Sequence, residues 1–331
     1  MAIEYCFKSR PNISHELSSN MSWFQFSLTL VTSIECYSED MWFIYALLSV
    51  VFAGLQAFLN KAAAEKRLDS YYLSSVSAVV AFGISFVLLL LTHKDLTAIP
   101  AIVYWLGLAS GVLYLGRVLT QLEALRFVHT TIFFPLYKVI GPAIVAIIGI
   151  FFFKENLSVS EIAGIVLSCA VPLLLLNRAE HHRQKNLPLG LLLMLVSTTL
   201  AACLAAVNAY AVRPNESLVL PFMAVTYAFS ALCGIALYAK RLPNKNLVGE
   251  LKRHSNPVAL RISFGIGVCQ CLSFFALLLA FAEGSLSIAY TISAHYILIP
   301  IILSVWIYKE HWNSQKALAL VVSICALVLL H

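Results

Sequence analysis

Charge is what this chain has least of: Asp, Glu, Lys and Arg make up 11% of its 331 residues, against 60% hydrophobic residues. A soluble domain carries about 25% charged residues, so this scarcity, with a mean hydropathy of +0.86, excludes a soluble globular protein. The alternating polar and apolar pattern of a membrane β-barrel is missing too. The apolar runs are about 18–25 residues long, the length that crosses a hydrocarbon core of about 30 Å as helix. Anchors for catalysis are equally absent: the chain holds no H-E-x-x-H, no G-x-S-x-G, no Walker loop and no acidic cluster for a metal. No enzymatic activity, metal or cofactor is therefore expected. Eight cysteines are scattered, and the one close pair, Cys269 and Cys271, has no neighbouring His to complete a zinc site, so they read as small packing residues. The net charge of +6 lies in loops between the apolar runs, where it meets lipid headgroups rather than nucleic acid.

What is present is a polytopic all-α integral membrane protein. Ten spans are predicted: Met41–Ala64, Tyr71–Leu91, Pro100–Leu122, Thr131–Phe153, Val159–Leu176, Leu189–Val212, Leu218–Ala239, Pro257–Phe281, Leu286–Tyr308 and Ser314–Leu330. Pro100, Pro188 and Pro257 stand at helix entries, where a missing N–H costs nothing, and Ser158 with Glu161 has the spacing of a capping box. Residues 1–40 differ from the rest. They flank an uncharged stretch, Met21–Ile34, that is too short to span and is not followed by a small-residue cleavage site. They are expected to be a disordered N-terminal extension or a non-native one ahead of Met41.

The chain reads as a duplication. Phe134–Glu155 aligns with Ala289–Glu310, both ending in aromatic-Lys-Glu, and Ala57–Lys66 aligns with Ala205–Pro214, pairing Asn60 with Asn208. The fifth and tenth spans match Glu161 with Lys316 and Ser168 with Ser323. An odd number of crossings inverts the second copy. The expected division is a first five-helix repeat at 41–176, a linker at 177–188 and a second repeat at 189–331.

This pattern resembles the drug/metabolite transporter superfamily and, within it, the EamA-like transporter family. The resemblance is carried over residues 41–330 by Asn60-Lys61, by Tyr114 with Ala124-Leu125-Arg126-Phe127, by Pro142, and by the Lys154-Glu155 and Lys309-Glu310 exits followed by Glu161-x-Ala163-Gly164. It implies ten transmembrane helices as two inverted repeats and transport of a small metabolite. The second half departs from the pattern in placing Ile297 opposite Pro142, with Pro300 nearby.

Two cations stand out against this apolar background. Arg117 lies about nine residues before the turn at 126–130 and Lys138 about nine after it, so in an antiparallel pair both sit roughly 13 Å from the same end. His295, about ten residues past the Glu283-Gly284-Ser285 turn, reaches a similar depth in the second repeat. Charges at that depth cost roughly 2.5–3.5 kcal/mol on insertion scales and generally face a cavity, a partner or a substrate. The predicted substrate-binding residues are Lys138, Arg117, His295, Tyr137, Asn60, Asn208, Tyr290 and Gln270, with Gln56, Gln121 and Tyr227 as further polar neighbours. Arg and Lys there favour an anionic or zwitterionic solute. Four readings compete with these roles: a Glu123 ion pair with Arg117, Lys138 snorkelling towards its turn, His295 as a hydrogen-bonded interior residue, and helix–helix hydrogen bonding by Asn60 and Asn208. Glu123 and His295 are coupling candidates, and Pro142 and Pro300 are hinge candidates, since proline inside a helix removes a backbone bond and bends it. Glu155 and Glu310 read as local caps or interfacial pairs.

The expected function is a secondary transporter working by alternating access. The alternatives are a flippase for a phosphate-bearing, lipid-linked substrate and a non-transporting structural or regulatory membrane protein. Expected partners are the small-molecule solute and membrane lipid, with homodimer formation left open. The Lys/Arg bias (Lys61, Lys66, Arg67; Arg178, Arg183, Lys185; Lys240, Arg241, Lys245, Lys252, Arg253) puts the ends of the ten-span core outside; the expected location is a plasma membrane of the bacterial inner-membrane type.

Overall fold

A helix buries its backbone polar groups within itself, which is why apolar runs of this length fold as helices in lipid. The structure, a computed structural model, describes residues 41–66, 68–92, 99–125, 127–128, 130–175, 187–241, 256–309 and 314–331. The N-terminal extension 1–40, nearly all of the linker, Arg126 and Glu310 lie outside the described residues.

The elements are α1 (Met41–Glu65), α2 (Ser70–Thr92), α3 (Ala101–Ala124), α4 (Thr130–Phe152), α5 (Val159–Leu174), α6 (Leu187–Val212), α7 (Val219–Arg241), α8 (Pro257–Glu283), α9 (Leu286–Ala294), α10 (Leu298–Tyr308) and α11 (Ser314–Leu330). Short 3₁₀ turns at Glu216–Leu218 and His295–Ile297 precede α7 and α10. Counting α9 and α10 as one crossing, eight of the segments are long and apolar enough to span a membrane, while α5 and α11 are shorter apolar helices. This is an all-α multi-pass membrane protein. The predicted entries hold: Ser158 Oγ accepts from the Glu161 N–H at 3.3 Å while the Glu161 carboxylate accepts from the Ser158 N–H at 2.5 Å, and Asn256 caps α8 with Pro257 in its first turn.

Helix pairing follows a two-fold pattern. α1 packs on α8 as α3 packs on α6; α2 on α8 as α3 on α7; α4 on α6 as α9 and α10 on α1. α2 with α7, and α5 with α11, pair across the middle. Small residues permit the closest of these crossings. A Cβ at Gly267 of α8 would come within 2.7 Å of the Ser77 carbonyl of α2, a backbone atom that cannot step aside. Lys154 and Lys309, equivalent in the internal alignment, both end their helices in the left-handed region at φ 54°.

The ninth crossing departs from the sequence expectation of one continuous helix. A proline cannot donate to the carbonyl four residues back and its ring crowds it; for Pro300 that carbonyl is Tyr296's, and the helix breaks into a 3₁₀ turn there. α4 runs unbroken through Pro135 and Pro142. The two hinge candidates are therefore unlike: Pro300 sits beside an interruption and Pro142 inside an intact helix.

Candidate functional site

The crossings of α1, α3, α4, α6, α7, α8 and the α9–α10 segment enclose a central cavity of about 340 Å³. Its walls include Arg117 of α3, Tyr137 and Lys138 of α4, Asn208 of α6, Gln270 of α8, and Tyr290. Six of the eight predicted binding residues thus meet at one space, joined by the further neighbours Gln56, Gln121 and Tyr227. No Asp or Glu is among its described lining residues.

The two cations are held by neutral groups. Arg117 Nη1 donates long hydrogen bonds to Tyr137 Oη (3.4 Å) and Gln121 Oε1 (3.5 Å), and its guanidinium lies 5.0 Å from the Tyr114 ring centre. Its Nε is buried without a partner. Lys138 Nζ sits 4.2 Å from the Tyr296 ring centre and 6.0 Å from that of Tyr137. Aromatic faces attract a cation by about 0.5–2 kcal/mol, which holds the charge in place without neutralising it. Arg117 makes its hydrogen bonds to Tyr137 and Gln121 rather than the Glu123 ion pair of the competing reading, and Glu123 is not among the described residues of the cavity wall. Lys138 points at the cavity rather than snorkelling to its turn.

Away from these charges the wall is neutral and polar. Ser110 Oγ donates to Asn208 Oδ1 at 2.8 Å, a bond between α3 and α6, and Tyr227 Oη donates to the Gln270 carbonyl at 2.9 Å. Asn208 thus both ties two helices together and borders the cavity. Its predicted twin does neither: Asn60 is exposed and absent from the wall. His295 is buried at 4% exposure behind Lys138, bordering a separate small space rather than the central cavity.

Sequence reasoning missed Tyr114 and Tyr296 as partners of the cations. Tyr114 was legible only as part of the family pattern, and Tyr296 depends on the broken crossing. Glu155, expected as a local cap or an interfacial pair, is a pair whose partners are distant in sequence: it reaches across to α9, accepting from Ser285 Oγ (2.8 Å), the Leu286 N–H (2.7 Å), and the Ser287 N–H and Oγ (3.1 and 2.6 Å). It also pairs with Arg213, whose guanidinium donates to the Phe281 and Gly284 carbonyls and stacks 4.4 Å from the Phe153 ring centre. Burial opposes ionisation of this carboxyl, but the bonds from Ser287, Arg213, Ser285 and the Leu286 N–H outweigh it and hold it below the usual carboxylate range. One carboxylate therefore fastens the exit of α4, the ends of α6 and α8, and the start of α9 at a single end of the bundle.

Comparison with known proteins agrees with this architecture. The profile of the EamA-like transporter family matches residues 40–177. That is narrower than the resemblance expected over 41–330 and covers the first half only. A solved crystal structure, described only as that of a protein, superposes at a TM-score of 0.65 with 17% sequence identity, covering 88% of this chain and 96% of its own, which is a likeness of fold. No curated protein matches the chain.

Proposed function

We propose, on the match of residues 40–177 to the EamA-like transporter family, part of the drug/metabolite transporter superfamily, that this membrane transporter carries a small anionic solute by alternating access, with the negative group of the solute between Arg117 and Lys138. One observation carries the reading: a 340 Å³ cavity bordered by two cations and, among its described lining residues, by no carboxylate. The volume falls at the lower end of the roughly 300–1,000 Å³ of small-molecule sites, which suits a metabolite. In a low dielectric an unneutralised guanidinium and ammonium gain most from an anion that accepts several of their hydrogens. Ser110, Asn208, Gln270 and Ser273 offer neutral hydrogen-bonding groups to the rest of the solute. The repeats at 41–176 and 189–331 would rock about this fixed site, with the break before Pro300 as the point of bending. A plasma membrane is the location proposed for it, with the Lys/Arg-rich connections on the cytoplasmic side, and self-association is not required by this scheme.

The test is a thermal-shift screen of the purified protein with carboxylates, phosphate esters, amino acids, neutral sugars and amines, run in parallel on Lys138→Ala and Arg117→Ala. A ligand that binds only the folded state stabilises it by mass action, whichever way it is transported. The expected result is stabilisation by an anion that both substitutions abolish, followed by uptake of that anion into proteoliposomes. Stabilisation by amines or neutral solutes alone, equal in parent and variants, would overturn the assignment.

A further inference from the structure

His295 is the buried side chain with most chemistry left unused. Its Nδ1 lies 3.0 Å from the Thr291 carbonyl and 3.2 Å from the Ile292 carbonyl. Carbonyls only accept, so Nδ1 carries the hydrogen, and Nε2 holds a lone pair in the neutral ring or a second hydrogen in the cation. Nε2 has no partner in the protein, although the residue is only 4% exposed. The ring borders a space of about 10 Å³, shared with Lys138, Ser168, Val171, Pro172, Ala294 and Ile297. That is room for about one water, which needs two to four polar partners. Lys138 donates, Nε2 accepts, and Ser168, whose hydroxyl hydrogen goes to the Gly164 carbonyl at 2.7 Å, accepts as well.

Lys138 also borders the central cavity, so one ammonium is the shared wall between the two spaces. We propose that His295 is the proton-binding site of a proton-coupled carrier, linked to the transported anion through Lys138. The inference rests on the anionic reading of the cavity. A bridging water would accept from Lys138 Nζ and donate to His295 Nε2. On protonation an O–H bond of a hydronium ion from the aqueous side breaks as its proton bonds to the Nε2 lone pair, leaving a water molecule, and the bridging water turns to accept from the new N–H.

The coupling follows from electrostatics. With the cavity free of anion, the neighbouring ammonium opposes a second positive charge on His295. An anion seated on Lys138 cancels much of that field, and the ring takes up a proton. Binding free energies are reciprocal, so acid must tighten anion binding by the same factor by which the anion raises proton affinity. The carrier then moves an anion and a proton together, with less net charge crossing the low-dielectric interior.

Other titratable groups on the surrounding elements stand apart from this pair. α1 sends Lys61 to Ser304 at 2.8 Å, and the Cys169 thiol of α5 donates to the Val139 carbonyl. α6 carries Cys203 and Tyr210; α8 carries Arg261, Cys269, Cys271 and Glu283; α11 carries Lys316 and Cys325. On its own segment His295 is flanked by Tyr290 and Tyr296, and α4 adds Tyr137 beside Lys138. Of all these, Lys138 alone borders the small space with His295.

The experiment is a pH titration of the histidine ring nitrogens by ¹⁵N NMR on the full chain in nanodiscs, with and without sulfate. Sulfate is a dianion that does not itself titrate near neutrality. Resonances are assigned with His295→Gln, and sulfate binding is followed separately by thermal shift. In the parent protein, sulfate is expected to raise the proton affinity of His295 about threefold or more, half a pH unit in its midpoint. Lys138→Arg, which keeps the charge, should keep both sulfate binding and the shift, and Lys138→Gln should lose the shift together with sulfate binding, as the anionic cavity requires. If sulfate binds and His295 titrates at the same midpoint with and without it, the coupling is overturned while the anionic cavity stands. If sulfate neither stabilises the protein nor moves His295, both fall. A midpoint shift that survives in Lys138→Gln also overturns the proposal, because the link would then bypass Lys138.

Discussion

Two arginines of this protein live in opposite ways. Arg213, at one end of the bundle, has a carboxylate, two carbonyls and an aromatic ring around it. Arg117, in the middle, has a tyrosine hydroxyl and an amide at the edge of hydrogen-bond range, a ring beneath it, and an Nε with nothing. The first is a finished interaction and the second an unfinished one. Where a cation fastens helices, its partner is built into the chain; at the proposed solute site, the partner is left to arrive.

The sharpest way to break this comparison is to remove one partner on each side. Glu155 is 8% exposed in its side chain and Arg213 25%, and removing one member of a buried pair costs about 3–5 kcal/mol. Glu155→Ala should therefore lower the thermal midpoint steeply, as measured by denaturation in detergent. Arg117→Leu should cost less than about 1 kcal/mol or stabilise, since it removes a buried cation that has no counter-ion. Equal losses would erase the distinction between a fastener and a site.

Gly149 offers a smaller perturbation of the same fastener. A Cβ there would collide with Ser287 Oγ and the Glu155 carboxylate. Gly149→Ala should cost about 1–3 kcal/mol, the range for overpacking, and leave anion binding at the central cavity unchanged. A variant as stable as the parent would mean that the fastener shifts without loss.

A third measurement uses pH. The folded carboxyl of Glu155 titrates below its unfolded value of about 4.3. Its contribution to stability is complete above the unfolded value and is lost as pH falls through the lower folded one. Glu155→Gln should flatten that acidic limb of the stability curve; an unchanged limb would place the acid sensitivity elsewhere.

The smallest expected effect separates the two prolines. Pro300→Ala restores a donor for the Tyr296 carbonyl and should shift stability by less than about 1 kcal/mol while slowing solute uptake in proteoliposomes. Pro142→Ala, in the unbroken α4, should leave the uptake rate as it is. Equal slowing by both would remove the asymmetry between the two hairpins.

Much of this was legible in the sequence, for physical reasons that differ by residue. Arg117 and Lys138 were placed together because rise per residue fixes depth once two helices share a turn. The capping box at Ser158 and Glu161 was legible because its bonds span three residues. Asn208 borders the cavity and Asn60 does not, although the internal alignment paired them. Alignment gives a residue its depth, and the rotation of its helix decides whether it faces the cavity or the exterior. The break at His295–Ile297 was half legible: Pro300 announced a disturbance, but α4 tolerates its own two prolines.

Hydropathy and run length alone determined that the chain lies in a membrane as a bundle of helices, because the cost of exposing backbone and charge to lipid is paid residue by residue. They also placed two cations well inside apolar helices. The tertiary structure alone decided what those cations meet. Glu155 finds Arg213, just past the end of α6, and the first turn of α9, and Lys138 comes to stand between a cavity and His295. Such meetings depend on how helices far apart in sequence cross and rotate. That is set by the fit of many small side chains at once, and no local pattern in the sequence records it.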